Sequence, residues 1–234
     1  MTKKSTANID ELLNSVETDM VGVVSLADHK DTPLWESARK LLPGAKSIVV
    51  LAMEVFAETV NQLTSKALVG DMTLRDLYTA NTGVIGGLID WEGYKLVKKL
   101  HTEGYKGLLL PATGAPYDAR FLEGPLSYKH LAEAAGMGML GWNSLLLTPE
   151  YGARVRLAAV LTDAPFVGSG PLVMENPCIK CGGACIKICP SKALSMPEDG
   201  EKYRIDKYAC SSYYTASGIC AECLKVCPAG RASG

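Results

Sequence analysis

"CIKCGGACIKICP", Cys178 to Pro190, sets four cysteines and a proline within thirteen residues. All eight cysteines of the chain lie between Cys178 and Cys227, and the first 177 residues have none. A disulfide framework spreads its cysteines through the fold it staples and needs an oxidising compartment. That distribution speaks against disulfides and for metal. Zinc is served by C-x2-C pairs, and eight thiols suffice for two zinc ions. Each set here, however, ends in Cys-Pro, at Cys189-Pro190 and Cys227-Pro228. Bacterial ferredoxin ligation follows C-x2-C-x2-C-x3-C-P, in which three thiolates serve one cluster and the fourth serves its neighbour.

The first set reads C-x2-C-x3-C-x3-C-P, one residue longer than that pattern between Cys181 and Cys185. Gly182 and Gly183 fill the gap, and their backbone freedom can absorb the extra residue. The second set reads C-x9-C-x2-C-x3-C-P, with Cys210 displaced upstream of Cys220, Cys223 and Cys227. Crossover ligation then assigns one 4Fe-4S cluster to Cys178, Cys181, Cys185 and Cys227. The other takes Cys189, Cys210, Cys220 and Cys223. Structural zinc, or a single cluster, is the alternative.

The other three-quarters of the chain is large for a mere carrier of that segment. With 234 residues and 47% apolar composition, the chain can build one ordinary domain plus a small appendage. A formal net charge of −1 argues against a general binder of nucleic acid or anionic membrane. The amino terminus, "MTKKSTANIDELLNSVETDM", lacks the apolar core of a signal peptide and a twin arginine. The apolar run "SIVVLAMEVFA", from Ser47, is too short to span a bilayer. A cytoplasmic location with no membrane and no nucleic-acid partner is therefore expected.

Hydrophobic periodicity predicts an α+β domain over residues 1–170, followed by a ferredoxin-like domain over 171–234. "IDELLNSVETD" reads as a helix, and "VGVVSL" and "SIVVLAM" as buried strands around an amphipathic stretch that ends at Pro43-Gly44. "WEGYKLVKKLHTEGY" reads as a helix with Trp91, Tyr94, Val97 and Leu100 on its inner side, closed by Gly104. "GLLLPA" follows as a strand, then a helix over about 126–136, then "SLLLT" and the alternating "ARVRLAAVLTD".

At "HLAEAAGMGMLGWNSLLLTPEYGARVRLAAVLTDAPF", His130 to Phe166, the chain resembles the cobalamin-dependent two-cluster iron–sulfur reductases. These are the reductive dehalogenases and the epoxyqueuosine reductases of tRNA modification. Trp142-Asn143 stands where the latter carry a Lys-Asn pair. With looser matches at "SIVVLAM" and "GYKGLLLPA", the resemblance spans most of 47–230. It implies a nitroreductase-like α+β domain that holds a base-off corrinoid, fed with electrons by a ferredoxin-like two-cluster domain. Such electrons would come from a ferredoxin- or flavodoxin-type donor protein. The chain carries no Asp-x-His-x-x-Gly motif, which fits a cobalt without a protein histidine and equally fits no corrinoid at all.

The resemblance also implies site residues. Reductive cleavage calls for a proton donor, and Tyr128, Tyr151 and Tyr117 are the candidate catalytic tyrosines, each weighed against a packed core tyrosine. Gly136, Gly138 and Gly141 form the glycine-rich turn, and Asn143 follows it as a candidate cofactor contact. Arg154 and Arg156 share one strand face and either meet corrinoid amide and phosphate groups or face solvent. Asp118 and Asp163 are possible acids, with Asp163 better read as capping the turn after its strand. No helical-repeat extension for tRNA and no exported leader are seen, so a differently covered corrinoid face is expected. The remaining alternatives are a ferredoxin-like carrier without corrinoid, an epoxyqueuosine-type tRNA reductase, and FMN in place of the corrinoid.

Overall fold

The computed structural model describes residues 9–63 and 71–230. The chain opens with α1 (Ile9–Asn14), β1 (Met20–Ser25), α2 (Pro33–Leu41), β2 (Ser47–Glu54) and α3 (Ala57–Asn61). The long α4 (Asp71–Thr102) leads to β3 (Gly107–Leu110), α5 (Tyr128–Ala134), β4 (Met139–Leu140), β5 (Leu146–Leu147) and β6 (Val155–Thr162). The cysteine segment adds α6 (Pro177–Cys181), α7 (Ala184–Ile188), β7 (Leu194–Ser195), β8 (Arg204–Ile205), α8 (Lys207–Ala216) and α9 (Glu222–Val226). The architecture is mixed α/β. No helix among the described residues is long and apolar enough to cross a membrane.

Two compact units interleave along the sequence rather than meeting at one cut near residue 170. The first takes 1–53, 85–137 and 156–172; the second takes 54–84, 138–155 and 173–234.

A four-stranded sheet in the order β1-β2-β6-β3 organises the first unit. β1 and β2 are antiparallel, with Val23 opposite Val49 and Val21 opposite Leu51. β3 and β6 are antiparallel as well, with Leu108 opposite Leu161. From Ser47 to Ala52 every residue of β2 is buried, so both faces of that strand are covered, as its unbroken apolar run requires. On one face Val23, Val49, Leu51, Ala158 and Val160 pack with Ile89, Leu96 and Leu100 of α4. The opposite face carries Gly22, where a Cβ would come within 2.9 Å of Ala135 at the end of α5. The glycine is what lets α5 approach β1.

The inner side of α4 differs from the face expected at Trp91 and Tyr94. Those rings are 58% and 46% exposed and stack on each other at 5.5 Å. The buried positions are Ile85, Ile89, Glu92, Gly93, Leu96 and Leu100. Gly93 explains the rotation: a Cβ there would lie 2.5 Å from the Leu109 side chain and 3.6 Å from Leu51 and Val160. The helix turns its glycine to the sheet to sit close, and the aromatic pair faces outward.

The second unit is built from much shorter pieces. Leu147, Ala153 and Cys178 form one small core with Trp142, Leu224 and Cys227. Leu63, Ile219 and Ala221 form another with Tyr78 and Leu224. Gly152, at φ +56°, presses the 148–152 turn against Ala229, whose carbonyl oxygen would be 1.8 Å from a Cβ at that position. Arg75 is 3% exposed and donates from its guanidinium to the Ser217 carbonyl.

Candidate metal centre

The thiols are placed by helix ends. Asn176 caps α6 by accepting the Cys178 N–H at 2.9 Å, and Pro177 starts the helix in the position where no donor is needed. One turn carries Cys178 and Cys181 on α6. Gly182 and Gly183 then both adopt left-handed backbone, at φ +61° and +72°. Two consecutive residues in that region are readily tolerated only as glycine. They end α6 and start α7, absorbing the extra residue between Cys181 and Cys185. Cys189 closes α7 ahead of Pro190. Asp206 caps α8 by accepting the N–H groups of Tyr208 and Ala209, each at 3.0 Å, which presents Cys210. Helix α9 carries Cys223, and Cys227 is its C-cap.

The thiols influence one another. Burial pushes the Cys185 thiol up to about 11, with Cys178, Cys181 and Cys227 adding to the shift. Cys178 is raised by burial and by Cys181 and Cys227, against the pull of the Trp142 N–H. Burial pushes Cys223 up to about 12, with further contributions from Cys220, Cys210, Cys185 and Cys189. Burial also raises Cys210, where Cys189 and Cys220 add to it. Cys185 acts on Cys223 as well as on its own neighbours, so the thiols lie close enough to act on one another across the two sets expected from crossover ligation. Among the described residues no three His, Cys, Asp or Glu converge on a point fit for a single metal ion. Eight cysteines stand as free thiols, and a metal cluster that takes them as thiolates must displace their protons.

Each set receives donors at sulfur. The Trp142 N–H donates to Cys178 Sγ at 3.4 Å, and the indole lies over Gly183, 3.4 Å from where a Cβ would stand. Burial raises Cys189, but the Ser191 hydroxyl and the N–H groups of Leu194, Ala193 and Ser191 outweigh it, and the thiol is lowered. Cys210 is the exposed member of the eight. Hydrogen bonds and solvent exposure are what tune cluster potentials.

The expected corrinoid residues are spread over both units. In the first, Tyr128 is half-buried and donates its hydroxyl to the Pro111 carbonyl at 3.0 Å. Burial, and then the Asp90 carboxylate, push it up to about 12. Its neighbour Lys129 is pushed down to about 8 by burial. Tyr117 is 64% exposed. Arg156 donates to the Ala112 carbonyl at 3.3 Å, while its buried Nε has no partner. Asp118 is held below the usual carboxylate range by Arg120, and Asp163 accepts the Lys106 N–H at 2.7 Å. His101 Nε2 accepts the Gly107 N–H at 3.3 Å, a structural task at the start of β3.

In the second unit, Tyr151 lies in the 148–152 turn, where its N–H donates to Thr148 Oγ1 at 3.0 Å. Arg154 pairs with Glu54 at 3.5 Å and donates to the Gly230 carbonyl, and its buried Nε also lacks a partner. Asn143 is buried and accepts the Leu145 N–H at 3.1 Å, so it shapes its own turn. The glycines are explained by packing: a Cβ at Gly138 would meet the Leu147 carbonyl at 2.3 Å, and one at Gly141 the Leu147 side chain at 2.6 Å. Gly136, in the first unit, faces the Gly170 carbonyl in the same way. Asp90 escaped the sequence reading. Its carboxylate accepts the N–H groups of Ala112 and Thr113, and such a contact between a helix and a distant loop leaves no local signal.

Residues 177–231 match the family model of the 4Fe-4S dicluster domain. The chain is 27% identical over 233 residues to a tetrachloroethene reductive dehalogenase of Dehalobacter restrictus, covering 88% of this chain and 36% of that protein. It is 30% identical over 157 residues to an epoxyqueuosine reductase of Bacillus cereus, covering 66% and 37%. The chain is thus similar to two kinds of two-cluster iron–sulfur reductase, the reductive dehalogenases and the epoxyqueuosine reductases. Among solved structures, a reductive dehalogenase described in terms of B12-dependent dehalogenation superimposes with a TM-score of 0.69 at 17% identity, over 96% of this chain and 32% of that one. The likeness at that identity is one of fold. The chain spans about a third of the length of the curated relatives it matches. The dicluster match decides against zinc, and the flavin alternative draws no support from these relatives.

Proposed function

We propose that the chain is an oxidoreductase that passes electrons through its two 4Fe-4S clusters to a base-off cobalamin held by a nitroreductase-like part within residues 1–170. The observation that carries this reading is a buried guanidinium nitrogen of the first unit, Arg156 Nε, that has no acceptor. A buried unpaired donor costs about 1–3 kcal/mol, so such groups are kept where a ligand satisfies them. Corrinoid amides and phosphate are acceptors of the right kind. When bound, a corrinoid supplies a cobalt centre whose reduced form is a two-electron nucleophile. Arg156 would hold its polar periphery, and Arg154 is the second candidate for that contact. Tyr128, kept protonated across neutral pH, would hold the proton for the acceptor at its phenolic oxygen. Tyr117, largely exposed, and Tyr151, in the 148–152 turn of the second unit, are weaker candidates. A reducing, cytoplasmic setting suits eight free thiols.

An epoxyqueuosine-type reaction on tRNA is the second reading, favoured by the identity of 30% to the Bacillus cereus reductase against 27% to the dehalogenase. The test is retention of cobalt. Anaerobic protein with both clusters is mixed with hydroxocobalamin and gel-filtered. Stoichiometric co-eluting cobalt with a base-off spectrum is expected, and Arg156→Met should weaken it by about tenfold or more. Full iron content without retained cobalt would overturn the proposal and leave a ferredoxin-like carrier.

A further inference from the structure

Helices α7 and α9 pack together, and α3 packs on α9. An open groove of about 370 Å³ lies here, lined by Asn61, Ile188, Glu222, Lys225 and Val226. The same two helices present Cys185 and Cys223, and end at Cys189 and Cys227. Two thiols of each four-cysteine set thus sit on the backbone that forms the groove wall.

The surroundings are apolar and cationic. Ile188 is 44% exposed. From Cys178 to Ser195 the sequence carries Lys180, Lys187 and Lys192 and no acidic residue. Lys180 pairs with Glu175, whereas Lys187 and Lys192 are exposed and make no ion pair among the described residues. Glu222 and Lys225 on α9 offset one another in charge, so the excess positive charge comes from the α7 side. Exposed Ile188 follows Lys187 directly in the chain, and an apolar contact on a segment of net positive charge suits a transient, electrostatically steered interface.

We propose that this groove is where a small acidic electron-carrier protein docks to reduce the clusters. The inference rests on the reading that the eight cysteines hold redox-active clusters. In the step, the carrier's reduced cofactor loses one electron and a cluster gains it, with no bond made or broken and no proton moved. Electron-transfer encounters are small, below about 1,200 Å² of buried surface, so steering by charge matters more than area. Lys187 and Lys192 supply that steering, and Ile188 the apolar contact.

The test uses the cluster-loaded protein in stopped-flow reduction, with a reduced acidic flavodoxin as probe and a small neutral photoreductant as control. Lys187→Glu with Lys192→Glu should slow reduction by flavodoxin about tenfold or more at low ionic strength and flatten its salt dependence. Ile188→Ser should slow it without changing the salt dependence. The photoreductant should reduce all forms equally. Equal flavodoxin rates in wild type and variants would overturn the proposal. So would variants that bind a tRNA stem–loop less well while keeping the flavodoxin rate, because the surface would then belong to nucleic acid. If the wild-type clusters accept electrons from the photoreductant but not from flavodoxin, docking alone fails. If they accept none from either, the redox reading fails and takes the docking proposal with it.

Discussion

The first unit is held by Ile48, Val49, Leu51, Ile89, Leu96 and Leu100, all at 1% exposure or less, around a sheet whose central strand is covered on both sides. The second hangs its eight thiols on helices of five to ten residues, three of them only five long. Helices that short do not persist alone in water. One unit has a broad apolar core, whereas the other has two small ones and short helices that clusters bound to their thiols would stabilise. Two folding regimes are therefore expected within one chain, with only the second dependent on iron.

Removal of iron tests the difference most severely. Chelation under reducing conditions should expose 173–230 to limited proteolysis while the fragments of the first unit stay protected, because metal binding energy in such sites is folding energy. Simultaneous loss of both would erase the distinction.

Glycine substitutions sharpen it at smaller scale. At Gly152 a Cβ meets backbone, the Ala229 carbonyl at 1.8 Å, and φ is +56°. Gly152→Ala should cost roughly 3 kcal/mol or more and impair cluster loading. At Gly93 the obstacle is the Leu109 methyl end at 2.5 Å, which can turn aside. Gly93→Ala should cost about 1–2 kcal/mol in denaturant unfolding and leave iron content unchanged.

Trp142→Ala removes the indole that covers Gly183 beside Cys178. It should shift the potential of the cluster held by Cys178 and leave the other cluster's unchanged in an EPR-monitored redox titration. Equal shifts in both would show that the indole shields neither in particular.

The smallest effect is in pH. Lys129 is lowered by burial from 10.5 to about 8, so the folded state sheds that proton at lower pH than the unfolded chain. Its charge costs stability below about pH 8, and the cost disappears as pH rises through the window from about 8 to 10.5. Lys129→Met should stabilise the first unit at neutral pH by up to about 1 kcal/mol and abolish the gain with rising pH. A variant with an unchanged pH profile would rule the lysine out as its source.

Much of this was legible in the sequence, for reasons that differ by residue. Cysteine spacing reports ligation because cluster ligands are supplied by consecutive short turns, and Gly182-Gly183 stood where left-handed backbone was needed. The strands at 20–25, 47–54 and 155–162 followed from apolar runs and alternation. The inner face of α4 was misread because Trp91 and Tyr94 outweigh Gly93 in any hydrophobic pattern, although close packing favours the glycine. Alternation predicted Arg154 and Arg156 on one strand face, but β6 begins at Val155 and leaves Arg154 just before it. Their unpaired buried nitrogens, like the Asp90 contacts to Ala112 and Thr113, depend on partners distant in sequence and leave no periodic trace.

Crossover ligation is the central claim, and Cys227→Ser tests it most directly. Cys223 and Cys227 are four residues apart, yet crossover ligation puts Cys227 with Cys178, Cys181 and Cys185, and Cys223 with Cys189, Cys210 and Cys220. Reduced protein examined by EPR should show loss or conversion of one cluster in Cys227→Ser, the same one altered by Cys181→Ser. The cluster altered by Cys210→Ser should remain intact. If Cys227→Ser instead perturbs the cluster that Cys210→Ser perturbs, the two sets are not crossed and the assignment is wrong.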